Sequence, residues 1–169
     1  HNIHIDKEKI IFLKQGLYEE SFLSNFKYKK STRNKIRKLF DFKKKDIVIL
    51  GIGNDFKRKG FNYFLELSNY CKEYKFIWIG NDSEYNNQNC KNLFLIPSVD
   101  KDKIFKYFYI SDFFFLSSIE DPFPSVILEA MVSGLPVISL KGSGGADELI
   151  NNKIGFIAEK ENILLIKKY

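Results

Sequence analysis

At 169 residues the chain has room for one domain with a sizeable core and not for two, and 27 Lys and Arg against 21 Asp and Glu leave a net charge of +6. Its two cysteines, Cys71 and Cys90, form no CxxC and only two histidines accompany them, which excludes a structural zinc site and favours free thiols in a reducing compartment. No secretory leader or run of about 20 apolar residues occurs, and a start at His1 instead of Met suits a piece of a longer protein.

Much of the basic excess lies in residues 27–45 (KYKKSTRNKIRKLFDFKKK). The run lacks the alternating aromatics and glycines of an RNA-binding strand pair, so a solvated helix is expected; binding to nucleic acid or to an anionic membrane surface is the competing reading. Beyond it, short apolar runs alternate with amphipathic ones. Strands are expected at 46–51 (DIVILG), 75–80 (KFIWIG), 93–97 (LFLIP), 112–116 (DFFFL), 136–140 (PVISL) and 155–158 (GFIA), and helices at 61–72, 101–110, 125–133 and 146–150. A polar, Asn-rich loop covers 85–92. Strands apolar throughout are buried on both faces, and helix-length spacers imply parallel neighbours with right-handed crossovers. The fold class is therefore α/β, a Rossmann-like doubly wound parallel sheet. Ligands of such sheets bind beyond the carboxyl ends of the strands, at the loops after Leu50, Ile79, Ile96, Leu116 and Leu140.

Three of those loops have the chemistry of a phosphate site. The first, 51–60 (GIGNDFKRKG), combines glycines, which allow close backbone approach, with the cations Arg58 and Lys59. Phe56 stands where GxGxxG needs its last glycine, and GxxxxGK[ST] is absent. Such a loop suits a diphosphate held without metal, or is a solvated basic turn. The second, 120–136 (EDPFPSVILEAMVSGLP), places Asp121 and Glu129 on either side of a helix start that follows Pro122 and Pro124. The helix N-terminus seats a phosphate, with Glu129 one turn in and in reach of a ribose hydroxyl pair; the alternative is a buried crossover helix with a solvated Glu. The third, 141–148 (KGSGGADE), offers the N–H groups of Gly144 and Gly145 ahead of Glu148, or is an ordinary connector. The single Asp-x-Asp, Asp100-Lys101-Asp102, precedes a helix and reads as capping instead of a metal site.

Taken in order, Arg58-Lys59-Gly60, Gly80, Ser117 through Met131, Gly134-Leu135-Pro136-Val137-Ile138, Gly144-Gly145 with Glu148, and Gly155 make the chain resemble, over residues 10–169, the carboxyl-terminal domain of retaining glycosyltransferases of GT-B architecture (group 1, family 4-like). The signature of that family is two acids separated by seven residues, a spacing that Asp121 and Glu129 match. The first acid is usually Glu; here it is Asp121, with Glu120 one residue too early, and Asp-Pro-Phe-Pro resembles a variant within the family.

The resemblance implies a linker and lead-in segment over 1–24, including Lys14-Gln15-Gly16-Leu17 and Phe22, and a nucleotide-sugar-binding domain over 25–169, one half of a GT-B architecture whose acceptor-binding amino-terminal domain is absent from the chain. It implies donor contacts from Gly53, Arg58, Lys59, Gly80, Ile96, Pro97, Ser98, Asp121, Phe123, Pro124, Ser125, Val126 and Glu129, with Gly144 and Gly145 as a phosphate or sugar loop. Glu129 would hold the ribose, Asp121 would face the sugar, and residues 96–98 would meet the base. Arg58 and Lys59 would neutralise the departing diphosphate, which makes Asp121, Glu129, Arg58 and Lys59 the catalytic set. The implied activity is retaining hexosyl transfer from a nucleoside-diphosphate sugar to a saccharide or lipid-linked acceptor of bacterial polysaccharide, lipopolysaccharide or capsule assembly. It needs no obligatory metal or cofactor and no nucleic acid. It would run in the cytoplasm, with peripheral contact at the inner membrane face. A non-catalytic nucleotide-sugar-binding module, a GT-B-fold epimerase and a polyanion-binding basic domain stay open as alternatives.

Overall fold

The computed structural model describes residues 24–80 and 90–160. The segment 14–17, Phe22 and residues 85–89 of the Asn-rich loop lie outside the described residues. Six strands, β1 (Val48–Ile52), β2 (Lys75–Ile79), β3 (Leu93–Ile96), β4 (Phe113–Leu116), β5 (Val137–Leu140) and β6 (Gly155–Ala158), form one sheet in the order β3-β2-β1-β4-β5-β6. Every pairing is parallel. The direction of winding reverses between β1 and β4, which opens the crevice of a doubly wound fold there.

Strand periodicity divides the core. Val48, Leu50, Ile77, Ile79, Phe114, Leu116 and Val137 point to one face, where they meet Phe105, Phe108 and Tyr109 of α3 (Phe105–Ile110) and Ile127 and Ala130 of α4 (Ser125–Val132). Their alternate neighbours Ile49, Phe76, Trp78, Phe115 and Ile138 point the other way, onto Phe61, Phe64 and Leu67 of α2 (Phe61–Tyr70). Phe56, Phe61 and Phe64 stand edge-on to Trp78 with ring centroids 5.5, 5.0 and 5.1 Å away. This is the favoured geometry of aromatic pairs. A short α5 (Ala146–Leu149) joins β5 to β6.

The basic run departs from expectation. Its helix, α1 (Lys29–Leu39), is not simply solvated: Ile36 and Phe40 pack on the core, and Arg37 is 5% exposed. Arg33 and Arg37, four apart and so on one face, both reach the end of α3. Arg33 donates to the carbonyls of Tyr109 (3.0 Å) and Ser111 (2.8 Å) and to the Asp112 carboxylate (2.6 Å). Arg37 donates to the carbonyls of Ile110 (2.9 Å), Lys43 (3.0 Å) and Asp46 and pairs with Asp112 at 3.4 Å. Two guanidinium groups thus satisfy carbonyls that a helix C-terminus leaves without partners.

The reading of Asp100 and Asp102 as caps also needs correction. No side chain caps α3, which begins at Phe105. The Asp100 carbonyl accepts from the N–H groups of Lys103 and Ile104 (2.9 and 3.1 Å) in preceding turns, and its carboxylate takes the Lys103 ammonium at 2.7 Å.

Candidate functional site

The crevice between β1 and β4 is built from loops laced to one another by backbone contacts. Ile119 N–H donates to the Arg58 carbonyl (2.9 Å) and Ser117 Oγ to the Lys59 carbonyl (2.9 Å). Gly60, at φ +66°, lies so close to the Ser117 carbonyl that a Cβ would come within 1.9 Å of its oxygen. The β4 loop is tied in turn to the β5 loop. Asp121 N–H donates to Ser143 (2.6 Å), Asp121 bridges to Gly144 as an extra parallel pair, and Gly145 N–H is shared between the carbonyls of Asp121 (3.3 Å) and Pro122 (3.0 Å). Toward β3, Ser98 Oγ donates to Asn54 Oδ1 at 2.7 Å. Gly80 allows the Gly53 carbonyl to approach where a Cβ would sit 2.0 Å from it.

Charge is concentrated where the first two loops meet. The Lys59 ammonium forms an ion pair with Asp121, the side chains being 18% and 10% exposed. The stem of Lys59 lies over Gly53, whose missing Cβ leaves the space it fills. Arg58, about half exposed, is steadied by Asp55 (3.4 Å) and donates to the Glu120 carbonyl at 3.3 Å. Glu120 itself is exposed, so Asp121 and not its neighbour presents the carboxylate to Lys59. One positive arm, one acid and one further guanidinium therefore share the mouth of the crevice.

The proline-bounded loop ends in α4, whose N-cap is Pro124 and which has no side-chain cap. Its first N–H groups consequently belong to a helix end open to an anionic group. Pro124 is buried, and Phe123, Ser125 and Val126 are half-buried around this end. Glu129 follows one turn in and is half-buried; burial pushes its carboxyl above the usual range, and the nearby Lys101 ammonium opposes that shift. Ile96 is half-buried and Pro97 and Ser98 are exposed at the outer end of β3.

Arg58, Lys59, Gly53, Asp121, Gly144 and Gly145 are thus brought into one laced group, with Gly80 touching it through Gly53 and Ser98 through Asn54. Glu129 has the Lys101 ammonium as its electrostatic neighbour. The Gly145 N–H, expected to be open to a ligand, is taken up by the Asp121 and Pro122 carbonyls. Asn54, Lys101 and Ser143 join the site without having been singled out from sequence. Asn54 and Ser143 sat inside loops already marked, whereas Lys101 carries no local signal. Among the described residues no group of three or more His, Cys, Asp and Glu could hold a metal, and no helix is long and apolar enough to cross a membrane.

Comparison with known proteins bears on this geometry. The family model described as glycosyl transferases group 1 matches residues 32–169. A processive diacylglycerol alpha-glucosyltransferase of Acholeplasma laidlawii is 29% identical over 146 residues, 81% of this chain and 43% of the relative. The chain therefore spans less than half the length of that relative. Among solved structures, WaaG, a glycosyltransferase involved in lipopolysaccharide biosynthesis, superposes with a TM-score of 0.79 at 17% identity, covering 96% of this chain and 47% of WaaG. Alr3699/HepE of Anabaena, solved in complex with UDP-glucose, superposes with a TM-score of 0.67 at 22% identity, over 82% of this chain and 42% of its own. At these identities the structural matches speak for the fold, a Rossmann-like half of a GT-B architecture.

Proposed function

The chain belongs to the group 1 glycosyl transferases, and on that footing we propose that it binds a nucleoside-diphosphate sugar for retaining hexosyl transfer to a saccharide or lipid-linked acceptor held outside these residues. The observation that carries the reading is the Lys59–Asp121 pair at the crevice between β1 and β4, with Arg58 beside it. The UDP-glucose in the Alr3699/HepE neighbour supports a nucleotide-sugar donor.

The chemistry follows from the charges. Cleavage of the bond between the anomeric carbon and the β-phosphate oxygen leaves positive charge on the sugar and negative charge on the departing diphosphate, while the acceptor hydroxyl adds to the anomeric carbon on the same face and passes its proton to the departing phosphate oxygen. Arg58, Lys59 and the open end of α4 stabilise the diphosphate, and fixed charges in a partly dry cleft do so without reorganising. These cations are the reason no obligatory metal is invoked. Asp121 faces the sugar, and Glu129 accepts from the ribose hydroxyls. Ile96, Pro97 and Ser98 meet the base, and Phe123, Pro124, Ser125 and Val126 wall the phosphates. The exposed Lys30, Lys35 and Lys38 of α1 suit work beside an anionic cytoplasmic membrane surface.

The test is calorimetric titration of the chain with UDP, GDP and ADP, repeated on Lys59→Ala and Glu129→Ala. One nucleotide should bind selectively and both substitutions should weaken it. Binding of none at millimolar concentration, or binding indifferent to both substitutions, would overturn the reading.

A further inference from the structure

Lys59 and Asp121 are each assigned to the donor, one to its diphosphate and one to its sugar, yet the structure pairs them with each other. We propose that Asp121 acts as a placeholder for the donor's diphosphate: it neutralises Lys59 in the empty site, and arrival of the diphosphate takes the ammonium over and frees the carboxylate for the sugar. This rests on the donor-binding reading above and deepens it, by making Asp121 a competitor for Lys59 as well as a sugar contact.

The geometry confines the exchange to side chains. Lys59 is held at its N–H by the Asp55 carbonyl (2.8 Å) and at its own carbonyl by Ser117 Oγ (2.9 Å), and its Cβ and Cγ are seated over Gly53. Only its outer methylenes and ammonium are at liberty to turn. Asp121 is fixed at its N–H by Ser143 (2.6 Å) and at its carbonyl by Gly145 (3.3 Å), so its carboxylate swings about χ1 and χ2 while the backbone stays. No loop has to move. A neutral ion pair attracts a phosphate far less than a bare ammonium does, and two anions cannot both sit at bonding distance from one ammonium in a low-dielectric crevice without repelling each other. Arg58 is differently placed: it pairs with an acid that is 55% exposed, across a longer contact, and gives up little to meet the ligand. The pair also keeps a partly buried cation from standing unpaired when the site is empty.

The experiment is a double-mutant cycle on nucleotide affinity: wild type, Asp121→Asn, Lys59→Ala and the double variant, each titrated calorimetrically with whichever of UDP, GDP and ADP the wild type binds. Thermal unfolding of each variant verifies the fold. Asp121→Asn keeps the backbone hydrogen bonds to Ser143 and Gly145 and removes only the charge. It should bind the nucleoside diphosphate roughly tenfold tighter, about 1.4 kcal/mol, and in the Lys59→Ala background the same change should alter affinity by less than about twofold. Unchanged or weaker binding by Asp121→Asn would overturn the proposal, since Asp121 would then be orienting Lys59 and not competing for it. An equal gain in both backgrounds would overturn it as well, because plain repulsion between Asp121 and the phosphates needs no lysine. If the wild type binds none of the three nucleotides, the donor reading falls and this proposal with it; the other two failures leave the donor reading standing.

Discussion

Gly53→Ala isolates the placement of Lys59 from its charge. A Cβ at position 53 would lie 2.5 Å from Lys59 Cγ and 2.6 Å from its Cβ, well inside the 3.4 Å at which ordinary contact begins. The lysine backbone cannot retreat, because its N–H is bonded to Asp55 at 2.8 Å and its carbonyl to Ser117 Oγ at 2.9 Å. Turning χ1 relieves the Cγ contact, at about 0.5–1.5 kcal/mol, and carries the ammonium away from both Asp121 and the phosphate position, whereas the contact with Cβ yields only to a shift of the loop at position 53. Gly53 itself has no left-handed φ. Its own bonds to Ile79 (2.8 Å) and from Trp78 Nε1 (3.0 Å) survive the substitution. The loop shift puts the stability cost in the usual range of overpacking, about 1–3 kcal/mol. The affinity cost is separate: loss of one hydrogen bond between charged groups is worth about 1.5–3 kcal/mol, or roughly ten- to hundredfold in Kd. Calorimetric titration with the nucleoside diphosphate, alongside thermal unfolding, measures both. Wild-type affinity in Gly53→Ala would refute the reasoning, as would an equally large loss in the Lys59→Ala background, where Cβ alone remains and no ammonium is left to displace.

Asp112→Ala removes a carboxylate that pairs with Arg33 and Arg37 and accepts the Val48 N–H at 2.8 Å. Its partial exposure puts the cost at the low end for a broken buried pair, about 3 kcal/mol, so the midpoint of thermal unfolding should drop by about 6–12 °C; a drop under about 2 °C would contradict the clamp. Because burial raises the Glu129 carboxyl above its ordinary 4.5, the folded state holds the proton more tightly than the unfolded chain. Glu129 therefore costs nothing well below pH 4.5 and becomes progressively destabilising as pH rises through the window that starts there. Glu129→Gln should thus gain on wild type in unfolding temperature between pH 4 and pH 7, and a constant difference across that range would contradict the assignment. Lys59→Arg keeps the charge but offers Asp121 a rigid fork that favours bidentate carboxylate binding. Unfolding temperature should change little while nucleotide affinity falls roughly tenfold on the same scale of hydrogen-bond cost; undiminished binding would show that any cation at position 59 suffices.

The strands were legible because each is an apolar run bounded by polar residues, and the helix-length spacers made a parallel sheet readable, but the order β3-β2-β1-β4-β5-β6 was not, because parallel pairing alone admits many orders. Most ends were drawn too wide: Asp46, Ile47, Gly80, Pro97, Asp112 and Pro136 extend the pattern but lie outside β1 to β5, while β1 runs one residue further than expected, to Ile52, since pairing needs a partner residue that apolarity alone cannot supply. The start of α3 was read four residues early because Lys101–Ile104 has helical composition, while the Asp100 carbonyl holds those residues in tighter turns. The clamp on Asp112 was hidden for a different reason. Arg33 and Arg37 show the four-residue spacing of a common face, yet their partners lie more than 70 positions away along the chain. Arg37 also reaches Lys43 and Asp46 close by in sequence, but it is the distant partners at the end of α3 that decide whether the cations of the run face water. The site shows the same boundary: Lys59 and Asp121 were both readable as site residues, but their contact spans 62 positions and exists only because β1 and β4 are neighbours.

The adjacency of β1 and β4 is used twice, with opposite chemistry at the two ends of the strands. Ahead of them, Asp112 is met by two guanidinium groups that spend their donors on fixed carbonyls as well. Planar, always charged and multiply bonded, such a cluster has one arrangement and serves the fold. Beyond them, Asp121 is met by one lysine whose ammonium has three donors on a flexible stem, of which the structure assigns one to Asp121. A lysine with donors to spare can be bound by two partners in turn, and an arginine committed to carbonyls cannot. The exposed end also lies where the loops, and not the strands, decide the surroundings of each charge. Gly53, Gly60 and Gly144 therefore belong to the same design as the charged residues. Each removes a Cβ that would hold apart two segments, or a segment and the lysine stem, and so each fixes how close the cation and the acid stand before any ligand arrives.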